Sequence, residues 1–183
     1  LLWTWNTEEQ PEWFNALSGG EIISLSLSPV LRPDPCSAGS YPGEVISFER
    51  TVSASSSQDQ SPPRLAVDGI YETAWVSGMF APQWIEVDLG RPTMVGEVRL
   101  VVQQSPDGNT VQRLWAKGQG SSQSYLLLKE FSGSTRTLDV LRFAPLAPMA
   151  SVRFIKVETI SSPSWVAWRE VEVLSPYVGI PPL

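Results

Sequence analysis

Residues Leu65–Gly90 read LAVDGIYETAWVSGMFAPQWIEVDLG, and this stretch decides the fold. Asp68-Gly69 is a turn dipeptide, because Gly accepts positive φ and Asp can bond its own backbone. From Trp84 to Leu89 the chain alternates strictly. Ile85, Val87 and Leu89 fall on one face and Trp84, Glu86 and Asp88 on the other, the period of a half-buried strand. Gly90-Arg91-Pro92 is expected to stop that strand.

The same alternation continues downstream. Strands are expected at Val45–Val52, Trp84–Leu89, Val95–Gln103, Val111–Lys117, Tyr125–Phe131, Thr137–Phe143, Val152–Ile160 and Val171–Leu174. Turn signals separate them at Pro106-Asp107-Gly108-Asn109, Gly118-Gln119-Gly120, Ser132-Gly133-Ser134, Pro145 and Pro148. Short strands at near-regular spacing predict an all-β fold, an antiparallel β-sandwich, with almost no helix.

The motifs Ala66-Val67-Asp68-Gly69, Thr73-Ala74-Trp75 and Asp88-Leu89-Gly90 fit the pattern A-x-D-G, T-x-W, D-L-G. Val95–Leu100, Val152–Val157, Ser164-Trp165 and Glu170–Val173 follow in order. Together they resemble the coagulation factor five/eight type C, or discoidin, domain and its relatives among family 32 carbohydrate-binding modules. The resemblance covers roughly residues 44 to 176 and implies a discoidin-like, galactose-binding-like jelly roll. It divides the chain into an N-terminal aromatic arm and Pro-rich linker (1–44), the sandwich (45–175) and a Pro-rich tail (176–183).

Composition narrows the function. The chain has 183 residues, a net charge of −6 and no histidine. Phosphate binding needs clustered Lys and Arg, so nucleic acid is excluded as a partner, and attraction to anionic lipid is disfavoured. The absence of His removes the usual general base and the Ser-His nucleophile pair. The acidic pairs Glu86/Asp88 and Glu170/Glu172 stand at i, i+2 on strands, a spacing that marks a solvated face rather than a glycosidase pair. A non-enzymatic protein is expected. The single cysteine, Cys36, cannot form an internal disulfide and reads as a small residue in a Pro-rich loop. No run of 18 apolar residues is present. The first residue is Leu, which fits a processed or partial chain and an extracytoplasmic setting.

Three groups of candidate site residues remain. The resemblance implies calcium held by Asp68, Thr73, a carbonyl near Ala167 and Glu170, because calcium takes several oxygen ligands. This chain departs from the family at Ile70, where relatives carry Asp or Asn. On the alternative reading Asp68 only caps its turn and Glu170 accepts a hydrogen bond. The second group is the ligand-loop set Met79, Phe80, Asn109 and Trp165, apolar or polar residues at expected loop tips where sugar-binding relatives stack an aromatic on a pyranose. The third is the arm, where Trp3, Trp5, Trp13 and Phe14 lie in a stretch with no basic residue before Arg32. Tryptophans anchor protein interfaces and membrane edges. The leading reading is a non-catalytic subunit docking through its arm onto an extracytoplasmic membrane-bound complex of other chains, and the alternative is a module that binds glycan or mediates adhesion. Membrane binding through Met79 and Phe80 ranks behind both.

Overall fold

The computed structural model describes residues 43–120 and 122–176. Nine strands run in chain order: β1 Thr51–Ala54, β2 Trp75–Val76, β3 Gln83–Val95, β4 Glu97–Val102, β5 Gly108–Lys117, β6 Leu126–Thr135, β7 Val140–Phe143, β8 Met149–Ser161 and β9 Ala167–Leu174. Among the described residues one 3-10 turn, Pro63–Ala66, precedes the Asp68-Gly69 turn. The strands form two antiparallel sheets, ordered β1-β3-β8-β5-β6 and β2-β9-β4-β7, which confirms the sandwich.

The alternating residues fill the space between the sheets. Ile85, Val87, Leu89, Val98 and Leu100 are all buried there, as their period predicts. Trp75 and Trp168 are partners across β2 and β9, and both side chains belong to the core. Trp84 points the other way, onto the outside of the larger sheet, with Lys156 Nζ 5.0 Å from its ring centre. Asp88, on the same face, holds Arg153 through two hydrogen bonds of 2.8 and 2.9 Å.

Three expectations need correction. Gly90-Arg91-Pro92 does not stop β3, which runs on to Val95. The pairing with β8 shifts register between Asp88 and Thr93, and Gly90 takes φ +83°, so the segment passes through as a bulge. Likewise Ser132-Gly133-Ser134 lies inside β6, paired with Val111, Thr110 and Asn109 of β5. As the outermost strand, β6 has no core to fill on its far side, so small polar residues are tolerated there. Val45–Val52 is mostly a turn: only Val45 bridges to Leu174, and strand structure begins at Thr51. Within that turn the buried Ser47 Oγ accepts a 2.8 Å bond from Val173 N–H, extending the edge of β9 with a side chain.

Candidate functional site

Two clusters of side chains lie along the β2–β9 edge of the smaller sheet. The first is a cleft between loops. Ser77 Oγ donates to Met79 O and accepts from Met79 N–H, at 2.8 and 3.1 Å, which closes the tight turn before Phe80. Ser77 N–H donates to Val166 O and Val166 N–H to Met79 O, at 2.9 and 3.0 Å. These bonds tie the Phe80 loop to the Trp165 loop. A third loop joins through Ser162 Oγ to Gln104 Oε1 at 3.4 Å and Gln104 Nε2 to Pro106 O at 3.0 Å.

The result is an open cleft of about 360 Å³ whose lining includes Phe80, Trp165, Val76, Gln103, Ser164 and Pro106. None of its lining residues is charged. Phe80 and Trp165 stay 60% and 46% exposed, large aromatic surfaces left to water on loops fixed from behind. Such a combination of rigid aromatic face and neighbouring amide and hydroxyl groups suits a flat ligand with one apolar face and a polar rim.

Of the ligand-loop residues read from the sequence, Phe80 and Trp165 meet at this cleft. Met79 is exposed but is absent from the lining, as is Asn109, which pairs with Ser134 on the β5–β6 ladder. Gln103, Ser105, Pro106 and Pro163 line it without having been expected. Their only sequence signal is a Pro in each loop, which does not specify direction. Ala167, an expected calcium carbonyl, also lines this cleft and pairs with Val76.

The second cluster is built on the Asp68–Thr73 turn. Gly69 takes φ +76°, a conformation that strains other residues, and a Cβ there would come within 3.1 Å of the Phe48 ring. Ile70 N–H then donates to Asp68 Oδ1 at 2.9 Å and to Glu170 Oε1 at 3.1 Å, so one backbone group bridges both carboxylates. Thr73 Oγ1 lies 3.0 and 2.9 Å from the two Asp68 oxygens and 2.9 Å from Ile70 O. Tyr71 donates its hydroxyl to Glu172.

Glu170 and Glu172 are 2% and 8% exposed, so the solvated face expected of this pair is wrong. The turn covers them. Burial pushes the Glu170 carboxyl up to about 8, and the adjacent Asp68 carboxylate adds to the shift against the pull of the Ile70 and Gly69 N–H groups. The Glu172 hydrogen bond, with burial, raises Tyr71 to about 12.

The donor set of Asp68, Glu170, Thr73 and the Ile70 carbonyl is all oxygen and joins a buried acid, Glu170, to a half-buried one, Asp68. Chemically it fits a hard cation of the calcium type. Ile70 has only its backbone groups to offer. Among the described residues no group of three or more His, Cys, Asp or Glu is arranged for a metal. Trp3, Trp5, Trp13 and Phe14 of the arm lie outside the described residues, as does Cys36.

Solved structures with this fold include the family 32 carbohydrate-binding module of NanJ from C. perfringens in complex with galactose. It is 20% identical at a TM-score of 0.59, over 72% of this chain and 97% of that one. Chitosan-binding module 2 of a Paenibacillus sp. IK-5 chitosanase/glucanase, in complex with chitotriose, is 20% identical at 0.59, over 71% and 99%. The family 32 module of AlyQ, with 4,5-unsaturated mannuronic acid, is 19% identical at 0.55, over 69% and 96%. No curated protein sequence matches the chain. The F5/8 type C domain model matches residues 51–171, which include the aromatic cleft, Asp68, Thr73 and Glu170, and eight of the strands in full. The chain therefore belongs to the F5/8 type C domain family.

Proposed function

We propose that this domain binds glycan through the cleft between Phe80 and Trp165, outside the cytoplasm and without catalysing a reaction. The observation that carries the reading is the meeting of two exposed aromatics on separate loops at one cleft. Family members of the same fold, in complex with galactose, chitotriose or an unsaturated mannuronic acid, support it. The glycan reading therefore takes precedence over docking through the aromatic arm. Among the described residues no helix is long and apolar enough to cross a membrane.

A hard cation, calcium by the chemistry of the donors, belongs to the same proposal at Asp68, Glu170, Thr73 and the Ile70 carbonyl. It would neutralise both acids and fix the turn, away from the aromatic cleft.

Calorimetric titration against galactose, N-acetylglucosamine and a uronic acid tests the glycan reading. Burying one large aromatic face contributes about 1.5–3 kcal/mol, so Phe80→Ala and Trp165→Ala should each weaken binding about tenfold or more with the circular dichroism of the sandwich intact. Wild-type protein that binds no sugar, or variants that bind as wild type does, would sink the proposal.

A further inference from the structure

The aromatic cleft is one end of a longer groove. A second cleft, of about 370 Å³, is lined by Glu72, Thr73, Arg169, Gln60 and Ser61, and shares Val76 and Gln103 with the first. The two therefore meet along a common wall formed by one residue of β2 and the residue following β4. Their floor is read off a single stretch of chain. Trp165 and Ala167 line the first cleft and Arg169 the second, each two residues from the last. With Arg169 at the bulge where the pairing of β9 with β4 shifts register, the five residues from Trp165 to Arg169 span at most about 13 Å. That is the length of two or three linked pyranose rings rather than of one.

The two ends differ in chemistry. The first offers aromatic faces and no charge; the second offers the Arg169 guanidinium and the exposed Glu72 carboxylate. Charged groups make the stronger hydrogen bonds to hydroxyls, the carboxylate as acceptor and the guanidinium as a fork of donors. Two buried polar atoms without a partner belong to the residues of this groove, Gln103 Oε1 at the shared wall and Arg169 Nε in the second cleft. Arg169 is held only from Nη1, which donates to Tyr71 O. Unpartnered buried polar atoms are costly, and a rotation of either side chain toward a bound hydroxyl would recover that cost.

We propose that the second cleft is a further subsite, so that the domain recognises a linear oligosaccharide of at least two units rather than a single terminal sugar. One ring stacks on Phe80 and Trp165, the chain passes over Val76 and Gln103, and a further ring is held through its hydroxyls by Arg169 and Glu72. With one positive and one negative group at the far end and none at the near end, the preferred ligand is uncharged. This rests on the glycan-binding reading above.

The test is a length series measured by calorimetry: galactose, galactobiose and galactotriose, and N-acetylglucosamine, chitobiose and chitotriose. In the series that binds, the trisaccharide should bind about tenfold or more tightly than the monosaccharide. Arg169→Ala and Glu72→Ala should each bring that ratio close to one. Glu72 lies on an exposed turn, so its variant reports on the groove even where loss of Arg169 disturbs the fold. Equal affinity for one and three units, or a ratio unchanged in both variants, overturns the second subsite while leaving the glycan reading in place. No binding by any sugar of either series overturns both.

Discussion

Glu170→Gln isolates the proton that the carboxylate cluster stores. In the folded protein the carboxyl sits at about 8, against an ordinary value of 4.5, because it is buried beside Asp68. A raised acid binds its proton more tightly folded than unfolded. Its stabilising effect is therefore complete below about pH 4.5, where both states are protonated, and is lost as pH climbs toward 8. At about 1.4 kcal/mol for each tenfold change in proton activity, the loss is on the order of 4 kcal/mol. For a domain of this size that is a fall in Tm of about 10 °C. The window is clean, since the chain has no histidine to titrate between pH 5 and 8. The charges around Glu170 are Asp68 on the turn, Glu172 on the same strand, and Arg99 on neighbouring β4, 3.9 Å from Glu172. The assay is thermal unfolding in chelator at pH 5, 6, 7 and 8. Wild-type protein should lose stability steadily, and Glu170→Gln should stay nearly flat and melt higher than wild type at pH 8. A wild-type Tm that is flat from pH 5 to 8, or a variant that falls as steeply, would refute the reasoning.

Two further predictions concern the sandwich itself. Val87 is fully buried at the centre of β3, so Val87→Asp places an unpaired carboxylate in the core and should cost several kcal/mol in denaturant unfolding, enough to abolish a cooperative transition. Asp88 is held below its ordinary 3.8 by the Arg153 hydrogen bonds, and Glu97 below 4.5 by Arg142 and Arg99 against its own burial. Depressed acids stabilise above their unfolded values and lose that effect as pH falls through the folded ones. A separate acid limb below about pH 4 should follow, and Asp88→Asn should shrink it; an acid limb equal in both proteins would argue against the pairing.

The sandwich was legible where burial imposes alternation. Trp84–Leu89 and Val111–Lys117 each lie in a strand with a core on one side, and Ile85, Val87 and Leu89 face inward as expected. Legibility failed where Gly, Pro and Ser sit in edge or bulged strands. At Gly90–Pro92 the chain uses a bulge to keep pairing, and at Ser132–Ser134 an outer strand has no core to specify it. At the sites, Phe80 and Trp165 were visible as large apolar residues beside Pro and Gly. The burial of Glu170 and Glu172 was not, because it is imposed by Ile70 and Tyr71, about a hundred positions away in sequence, and two carboxylates at i, i+2 carry no mark of the turn that covers them. Arg169 and Glu72 were invisible for the same reason. Each belongs to a groove that exists only once β2 lies beside β9.

The Asp68–Thr73 turn belongs both to the carboxylate cluster and to the second cleft of the groove, and this leads to the last prediction. Its backbone closes over Glu170, while Glu72 and Thr73 form the far wall of the groove. Whatever fixes the turn therefore also fixes the groove's far end. The aromatic end is held by other bonds, those among Ser77, Met79 and Val166, none of which passes through the turn. A cation bound at Asp68 and Glu170 would bind the folded state only and stabilise it by mass action, about 2.7 kcal/mol at a hundredfold excess over Kd. Calcium should then raise Tm at pH 8, and Asp68→Ala, which removes a carboxylate together with its bonds to Ile70 N–H and Thr73, should abolish that rise. The same variant should reduce the advantage of a trisaccharide over a monosaccharide, because only the far ring depends on the turn. Asp68→Ala weakening both sugars equally would mean that the turn supports the whole binding face, and a Tm indifferent to calcium and to chelator would leave Asp68 as the residue that closes its own turn.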